Sequence, residues 1–129
     1  MKSYKKTITV KETDLDDLDH VNNIRYIEWI QDISKEHWQK TVPTEELELY
    51  IWVVRHHDIT YHASALLQDT LELTTHIKSW RGPLSIRQVE IKNKVTGKTL
   101  ITAETEWCLL QPENARPKRV PEHIANMFV

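Results

Sequence analysis

The sequence predicts an α+β domain in which a five-stranded antiparallel sheet wraps one long central helix, with a short helix at the C-terminus. Two observations support this fold class. One β-like segment precedes a strongly apolar helical segment, and four closely spaced β-like segments follow it, which favours antiparallel pairing. A helix that is apolar around most of its circumference is usually covered by other structure, so we expect the sheet to curve around it.

Length and composition limit the function classes. The 129 residues predict a single domain over 1–129. Apolar residues make up 40% and charged residues 28%, which excludes general disorder. The net charge of −2 gives no basic field for nucleic acid or anionic lipid. No segment is typical of a signal peptide or a membrane span, so we expect a cytoplasmic protein.

The first half of the chain predicts a strand, an acidic loop and the long helix. Residues 4–13 alternate between apolar and polar side chains, as in a half-buried strand. Asn22 and Asn23 are good N-cap residues and stand directly before an apolar periodic segment. The helix is therefore expected over about 24–40. Its isoleucines are expected along one side: Ile24, Ile27, Ile30 and Ile33.

The second half predicts four strands and the short helix. A phase slip between Ile86 and Val89 suggests a bulge or bend in the third of these strands. Pro121 opens the C-terminal helix, with Ile124 and Met127 expected to face inward. The strands are expected over 49–62, 70–80, 84–95 and 98–111.

The acidic loop and the start of the helix carry the most specific pattern. It is Asp14-Leu15-Asp16-Asp17-Leu18-Asp19-His20-Val21-Asn22-Asn23-Ile24-Arg25-Tyr26-Ile27-Glu28-Trp29. This segment resembles the signature of hotdog-fold acyl thioesterases. The acyl-carrier-protein (ACP) thioesterases of plants and bacteria have nearly this string, and the 4-hydroxybenzoyl-CoA thioesterase group has a related Asp-x-Asp loop. The resemblance implies a hotdog fold that hydrolyses an acyl-CoA or acyl-ACP thioester to a free acid and a thiol. It also implies homodimers, often paired into homotetramers, with active sites at the dimer interface.

The resemblance assigns roles to three residues. Asp16 matches the family carboxylate that acts as nucleophile or general base. The backbone N–H of Asn23 matches the oxyanion donor, and a helix start does offer unpaired N–H groups with a partial positive charge. His20 matches a histidine of the carrier-protein thioesterases, and its role stays open between catalysis and bracing of the loop. No metal or redox cofactor is implied.

Some positions depart from the carrier-protein pattern. Leu18 stands where those enzymes have an asparagine, and Ser64 falls near the position of a further acidic partner. The single-aspartate mechanism of the hydroxybenzoyl-CoA group is therefore favoured. Glu28 is a rival base, since some hotdog thioesterases use a helix glutamate. The remaining acidic residues of the loop are expected to be solvated or to lie at the helix start: Asp14, Asp17 and Asp19.

Other polar and aromatic residues suggest secondary roles. Three basic residues flank a Gly-Pro turn where the hydroxybenzoyl-CoA group places cations toward CoA: Lys78, Arg81 and Arg87. A solvated hairpin end is the alternative for each of them. Trp52 or Trp80 could line an acyl pocket. Cys108 is expected to pack in the core. His57 and His62 point to opposite faces of a strand, which argues against a metal site there.

Two alternative functions stay open. Loss of the family's asparagine and acidic partner would suit a non-catalytic acyl-binding hotdog protein. A hotdog dehydratase or hydratase is the second alternative, although the sequence lacks the His and acidic arrangement that those enzymes use.

Overall fold

The computed structural model describes residues 2–129. Its strands form one antiparallel sheet in the order β1-β3-β4-β5-β2, and the long helix α1 packs across the inner face of that sheet. The predicted α+β architecture is confirmed. The elements are β1 (Ser3–Thr9), α1 (Asn23–Thr41), β2 (Ile51–Tyr61), β3 (Thr70–Arg81), β4 (Leu84–Asn93), β5 (Thr99–Leu110), α2 (Glu122–Ala125) and 3-10 turns at Glu12–Asp14, Thr44–Leu49 and Asn126–Phe128.

The buried face of α1 differs from the predicted line of isoleucines. Tyr26, Ile30, Ile33 and His37 follow one another at spacings of three or four residues and are all buried. Ile24 belongs to that predicted line but is 64% exposed. The prediction was wrong there because the sheet selects the face that carries Tyr26, and residue type alone does not mark that face.

The core has two parts along α1. The first surrounds the N-terminal half of the helix and contains aliphatic side chains of β3, β4 and β5. The second lies at the C-terminal half and is rich in aromatic rings, with Trp38 stacked on Phe128 at 5.7 Å between ring centroids. Ile124 of α2 is fully buried in this second part, and Met127 is packed against it, as predicted.

Two predicted strand features differ in detail. β1 ends at Thr9, and a 3-10 turn follows at Glu12–Asp14 where the sequence predicted continued strand. The bulge lies on β3 rather than on β4: Ile77 pairs with Arg87 and Ser79 with Ile86, which leaves Lys78 as the extra residue. Burial along β4 alternates without interruption, so the inferred phase slip was wrong.

Polar side chains also face the helix from the sheet. Those that are buried are Thr75, Ser85, Arg87 and Thr105. Ser85 and Arg87 explain why a phase slip was wrongly inferred in β4. A polar residue on the inner face interrupts the apolar alternation of the sequence without changing the pleat of the strand. In residues 2–129 no helix has both the length and the hydropathy needed to cross a bilayer.

Candidate active site

The acidic loop between β1 and α1 closes on itself around Asp16. The Asp16 N–H donates to the His20 carbonyl at 2.7 Å, and the Asp19 N–H donates to the Asp16 carbonyl at 3.1 Å. Asp19 adopts the left-handed region at φ 60°, which permits this tight turn. Leu15 and Val21 form an antiparallel bridge at the base. The loop is therefore a short closed unit that ends at the start of α1.

The carboxylate of Asp16 is held by the backbone of that loop. Its Oδ1 accepts from the Leu18 N–H at 2.9 Å and from the His20 N–H at 3.2 Å. Oδ2 makes no hydrogen bond to another residue in the described part of the chain. The Leu18 side chain is 75% exposed, and this residue supports the loop through its backbone N–H alone. One carboxylate oxygen thus has no hydrogen-bond partner among the described residues.

The first turn of α1 leaves one N–H group unused. Asn22 is the N-cap, and its side chain accepts from the Ile24 N–H at 3.1 Å. The Arg25 N–H donates to the Asn22 carbonyl at 2.8 Å. The N–H of Asn23, the first helical residue, has no partner among residues 2–129. This donor carries the partial positive charge of the helix start.

Asp14 attaches the loop to the helix, so of the two predicted alternatives, solvated or at the helix start, the structure shows the second. It is 5% exposed, and its Oδ1 accepts from Arg25 Nε at 2.6 Å while Oδ2 accepts from the Lys11 N–H at 2.8 Å. The Asn22 N–H also donates to its carbonyl. The hydrogen bond that Arg25 donates to Asp14 raises the pKa of Arg25, an effect that Glu28 reinforces. Sequence reasoning missed this residue because neighbouring aspartates look alike before folding.

Tyr26 connects α1 to the segment around residue 65, which in turn contacts the acidic loop. Its ring is 1% exposed, and its hydroxyl oxygen accepts from the Ala65 N–H at 2.8 Å. Burial is the main cause of its raised pKa, and the charges of Asp69 and Asp16 add to it. The Val21 N–H donates to the Ala65 carbonyl at 3.1 Å, so the segment around residue 65 supports both the loop and the helix.

The structure places His20 and Glu28 at the surface. His20 braces Asp16 through its backbone, and its exposed imidazole makes no hydrogen bond within the described residues. Glu28 pairs with Arg25 at 2.9 Å between Oε2 and Nη1, and its side chain is half-exposed. Glu28 therefore belongs to the same ion-pair group as Asp14.

The three basic residues proposed for CoA are not brought to Asp16 within one chain. β1 leaves the sheet where Thr9 pairs with Thr70, so the acidic loop starts at that end of β3. Lys78 and Arg81 lie further along β3, about 26 Å or more at roughly 3.3 Å per residue. Lys78 pairs with Glu104 on the outer face, and Arg81 is exposed beside the β3–β4 turn.

Arg87 differs from the other two because it is buried on the inner face at 4% exposure. It lines a cavity of about 240 Å³ beside the C-terminal half of α1. Trp52 lines the same cavity, whereas Trp80 packs against Trp52 and Phe128. Cys108 is buried, as predicted. No group of three His, Cys, Asp or Glu side chains suited to a metal ion occurs in residues 2–129.

Solved structures share the fold of this chain. A probable thioesterase from Bartonella henselae is 25% identical, with a TM-score of 0.78 over 92% of this chain and 98% of that one. A mutant of 4-hydroxybenzoyl-CoA thioesterase in complex with 4-hydroxybenzoyl-CoA has a TM-score of 0.90 at 16% identity over the full length of both chains. The 12:0-ACP thioesterase from Umbellularia californica has a TM-score of 0.84 at 15% identity over 98% of this chain and 51% of that one.

No curated protein matches the chain. The family model described as the acyl-ACP thioesterase N-terminal domain matches residues 1–128, nearly the whole sequence. Together with the shared fold, this confirms the hotdog architecture and the resemblance seen at the acidic loop. The chain belongs to the acyl-ACP thioesterase family of hotdog-fold thioester hydrolases.

Proposed function

We propose that this protein hydrolyses an acyl-CoA or acyl-ACP thioester with Asp16 as general base or nucleophile and the Asn23 N–H as oxyanion donor. The observation that supports this most is the free Asn23 N–H at a helix start whose other first-turn donors are used. Asp16 is held in the closed loop that leads directly to that helix, with Oδ2 free. A carboxylate and a fixed donor are the two groups that thioester hydrolysis needs.

Asp16 has two possible roles in the proposed hydrolysis, general base and nucleophile. As general base, Asp16 takes a proton from water while the water oxygen bonds to the carbonyl carbon. The carbonyl oxygen becomes an oxyanion, which the Asn23 N–H stabilises. The C–S bond then breaks, and the thiolate takes the proton from Asp16, which restores the carboxylate. As nucleophile, the Asp16 carboxylate bonds to the carbonyl carbon and the C–S bond breaks, which releases the thiolate and leaves a mixed anhydride. Water hydrolyses the anhydride to the free acid and the Asp16 carboxylate, and the proton released goes to the thiolate.

Both thiol carriers are reasonable substrates for testing. One structural neighbour is a 4-hydroxybenzoyl-CoA thioesterase and another is a 12:0-ACP thioesterase. The decisive assay measures release of free thiol from aromatic and straight-chain acyl-CoA and acyl-ACP substrates by the purified full chain. Binding without thiol release would support the acyl-binding alternative instead, and addition of water to an enoyl-CoA would support a hydratase.

The role of Asp16 is tested by one substitution and a matched control. We expect Asp16→Asn to lower kcat/KM by at least about 100-fold, the scale of a lost catalytic base, with unchanged thermal stability. Asp17→Asn removes the same charge from the neighbouring exposed residue and should leave hydrolysis unchanged. Near-normal turnover in a folded Asp16→Asn protein would remove Asp16 from the mechanism and direct attention to Glu28.

We also propose that the chain is a single domain that acts in the cytoplasm as a homodimer or homotetramer. β2 lies at one edge of the sheet and, within residues 2–129, pairs only with β5. Its outward-facing side chains Ile51 and Val53 are 43% and 40% exposed. An uncovered apolar edge strand favours pairing with another copy. A second copy could also bring Lys78 and Arg81 toward the acidic loop of its partner.

A further inference from the structure

The cavity beside the C-terminal half of α1 contains a buried cation without an acidic partner. Arg87 lines this cavity and is 4% exposed. Its Nη1 lies 2.8 Å from His37 Nδ1 and 3.3 Å from Thr75 Oγ1, and both partners are uncharged acceptors in that arrangement. No carboxylate within residues 2–129 forms an ion pair with it. Buried charges in proteins are normally paired, so this one is unusual.

The surroundings of Arg87 keep it charged and leave donors available. Burial lowers the pKa of Arg87 to about 10, which is still far above neutral pH. Burial and the Arg87 charge lower the pKa of His37 to about 4, so His37 is neutral and accepts through Nδ1. Both hydrogen bonds use Nη1, so Nε and Nη2 make none to the described chain. A guanidinium in this state suits a carboxylate, which accepts two parallel hydrogen bonds.

The rest of the lining is mainly apolar and aromatic. Trp38, Leu47, Trp52 and Trp107 are among the lining residues, and the polar ones include Ser34, Gln39 and Ser85. The volume of about 240 Å³ is slightly below the ~300–1,000 Å³ of sites for drug-sized ligands. Two cations, the buried Arg87 and the exposed Lys35, line the cavity together with apolar and aromatic side chains. This is the pattern of a site for a small amphipathic anion.

We propose that this cavity binds the carboxylate of a small apolar acid at Arg87. The helix rise of about 1.5 Å per residue puts Ser34 and Trp38, which line the cavity, about 16 and 22 Å beyond Asn23 along α1. The carboxylate site is therefore separate from the proposed reaction centre. Two sources share this chemistry: the free acid that thioester hydrolysis releases, and the distal carboxylate of an acyl group derived from a dicarboxylic acid.

Calorimetric titration of the purified full chain tests the binding site independently of hydrolysis. We expect octanoate to bind at least tenfold more tightly than 1-octanol, which has the same chain length and no charge. Arg87→Met should abolish that preference, because it keeps an unbranched apolar side chain and removes every donor. Arg116→Met is the matched control on an exposed loop and should bind octanoate like the wild type. Thermal unfolding confirms that each variant is folded.

Several outcomes would overturn the proposal. Equal affinity for octanoate and 1-octanol in the wild type would do so even if Arg87→Met failed to fold. Undetectable octanoate binding at millimolar concentration, or an unchanged preference in folded Arg87→Met, would also do so. These results leave the role of Asp16 untouched, since no turnover is measured.

A second experiment distinguishes the two possible sources of the carboxylate, the released acid and the diacid-derived acyl group. This experiment rests on the proposed hydrolysis. If the distal carboxylate is the ligand, wild type should hydrolyse the CoA monothioester of hexadecanedioic acid, whose extended chain is long enough to reach from Asn23 to the cavity, with higher kcat/KM than hexadecanoyl-CoA. Arg87→Met should lose this difference. If the released acid is the ligand, octanoate should inhibit the wild type and not Arg87→Met, with no preference for the diacid. If the enzyme hydrolyses hexadecanoyl-CoA and shows neither pattern, both sources are contradicted.

Discussion

Arg25 Nε lies 2.6 Å from Oδ1 of the buried Asp14, and this ion pair joins the first turn of α1 to the loop that carries Asp16. The same carboxylate accepts from the Lys11 N–H at 2.8 Å. Asp14 is thus a positioning residue: it contacts the two segments that flank the proposed reaction centre. Of the two aspartates in the Asp-x-Asp pattern, one is structural and the other keeps a free oxygen.

Replacing Asp14 should therefore reduce both stability and turnover. Asp14→Asn keeps one acceptor oxygen and turns an NH2 group toward the second donor, so one charge-assisted hydrogen bond is lost and the other is weakened. We expect the free energy of unfolding to fall by about 2 kcal/mol. Urea denaturation measures this loss. Because the loop loses its attachment, kcat should fall more than KM rises, and by less than in Asp16→Asn. Unchanged stability and turnover would show that the Asp14–Arg25 pair does not position the loop.

The two asparagines at the helix start should respond differently to substitution. Asn22→Ala removes the N-cap hydrogen bond to the Ile24 N–H and should cost about 1 kcal/mol of stability. Asn23→Ala keeps the backbone N–H and changes an exposed side chain, so its effect should stay within about 0.5 kcal/mol. We expect kcat to fall further in Asn22→Ala. A larger loss in Asn23→Ala would instead assign a role to the Asn23 side chain.

Acidification should destabilise the fold partly through His37. Burial and the charge of Arg87 lower its pKa from 6.5 to about 4, so the unfolded chain binds more protons than the folded one between these values. The stability that neutral His37 contributes to the fold is complete above about pH 6.5 and is lost as the pH falls toward 4. The free energy of unfolding falls by up to about 3 kcal/mol as a result. Burial lowers the pKa of His57 in the same direction.

Urea denaturation at pH 7 and pH 4.5 measures how much of the acid-induced loss of stability is due to His37. His37→Gln keeps an acceptor for Arg87 and should show a smaller loss of stability between the two pH values than the wild type. The exposed His123 provides the control, and His123→Gln should follow the wild type. An identical pH dependence in all three proteins would contradict the assignment to His37.

The assembly state is open to a direct test. We expect light scattering at micromolar concentration to give two or four times the 15.3 kDa of one chain. The exposed edge strand β2 is the expected contact, so a charge at its centre should weaken the assembly. Val53→Glu should shift the mass toward that of the monomer and lower turnover. A fully active monomer would disprove the proposed shared site.

Local chemistry was enough to predict the helix start and the order of the helices and strands along the chain. Asn22 caps the helix as expected because N-cap preference depends on a hydrogen bond formed within a few residues. The long alternation in β3 likewise predicted a half-buried strand, because side chains of successive residues point to opposite faces whatever lies around them. The family of the chain was also readable from the short string around Asp16.

Contacts between distant segments decided the rest. Ile24 is exposed and Arg87 is buried, against the preference of each residue type, because packing of α1 on the sheet selects the faces. Asp14 and Asp16 are equivalent in a linear sequence, and only the closed loop and Arg25 make one of them structural. The cavity at Arg87 joins side chains of α1, β2, β3, β4 and β5, so no single segment of sequence contains its pattern. The sequence by itself determined the elements, because they depend on short-range chemistry, and its resemblance to a family supplied the proposed reaction centre. The tertiary structure decided which polar groups are buried and what faces them.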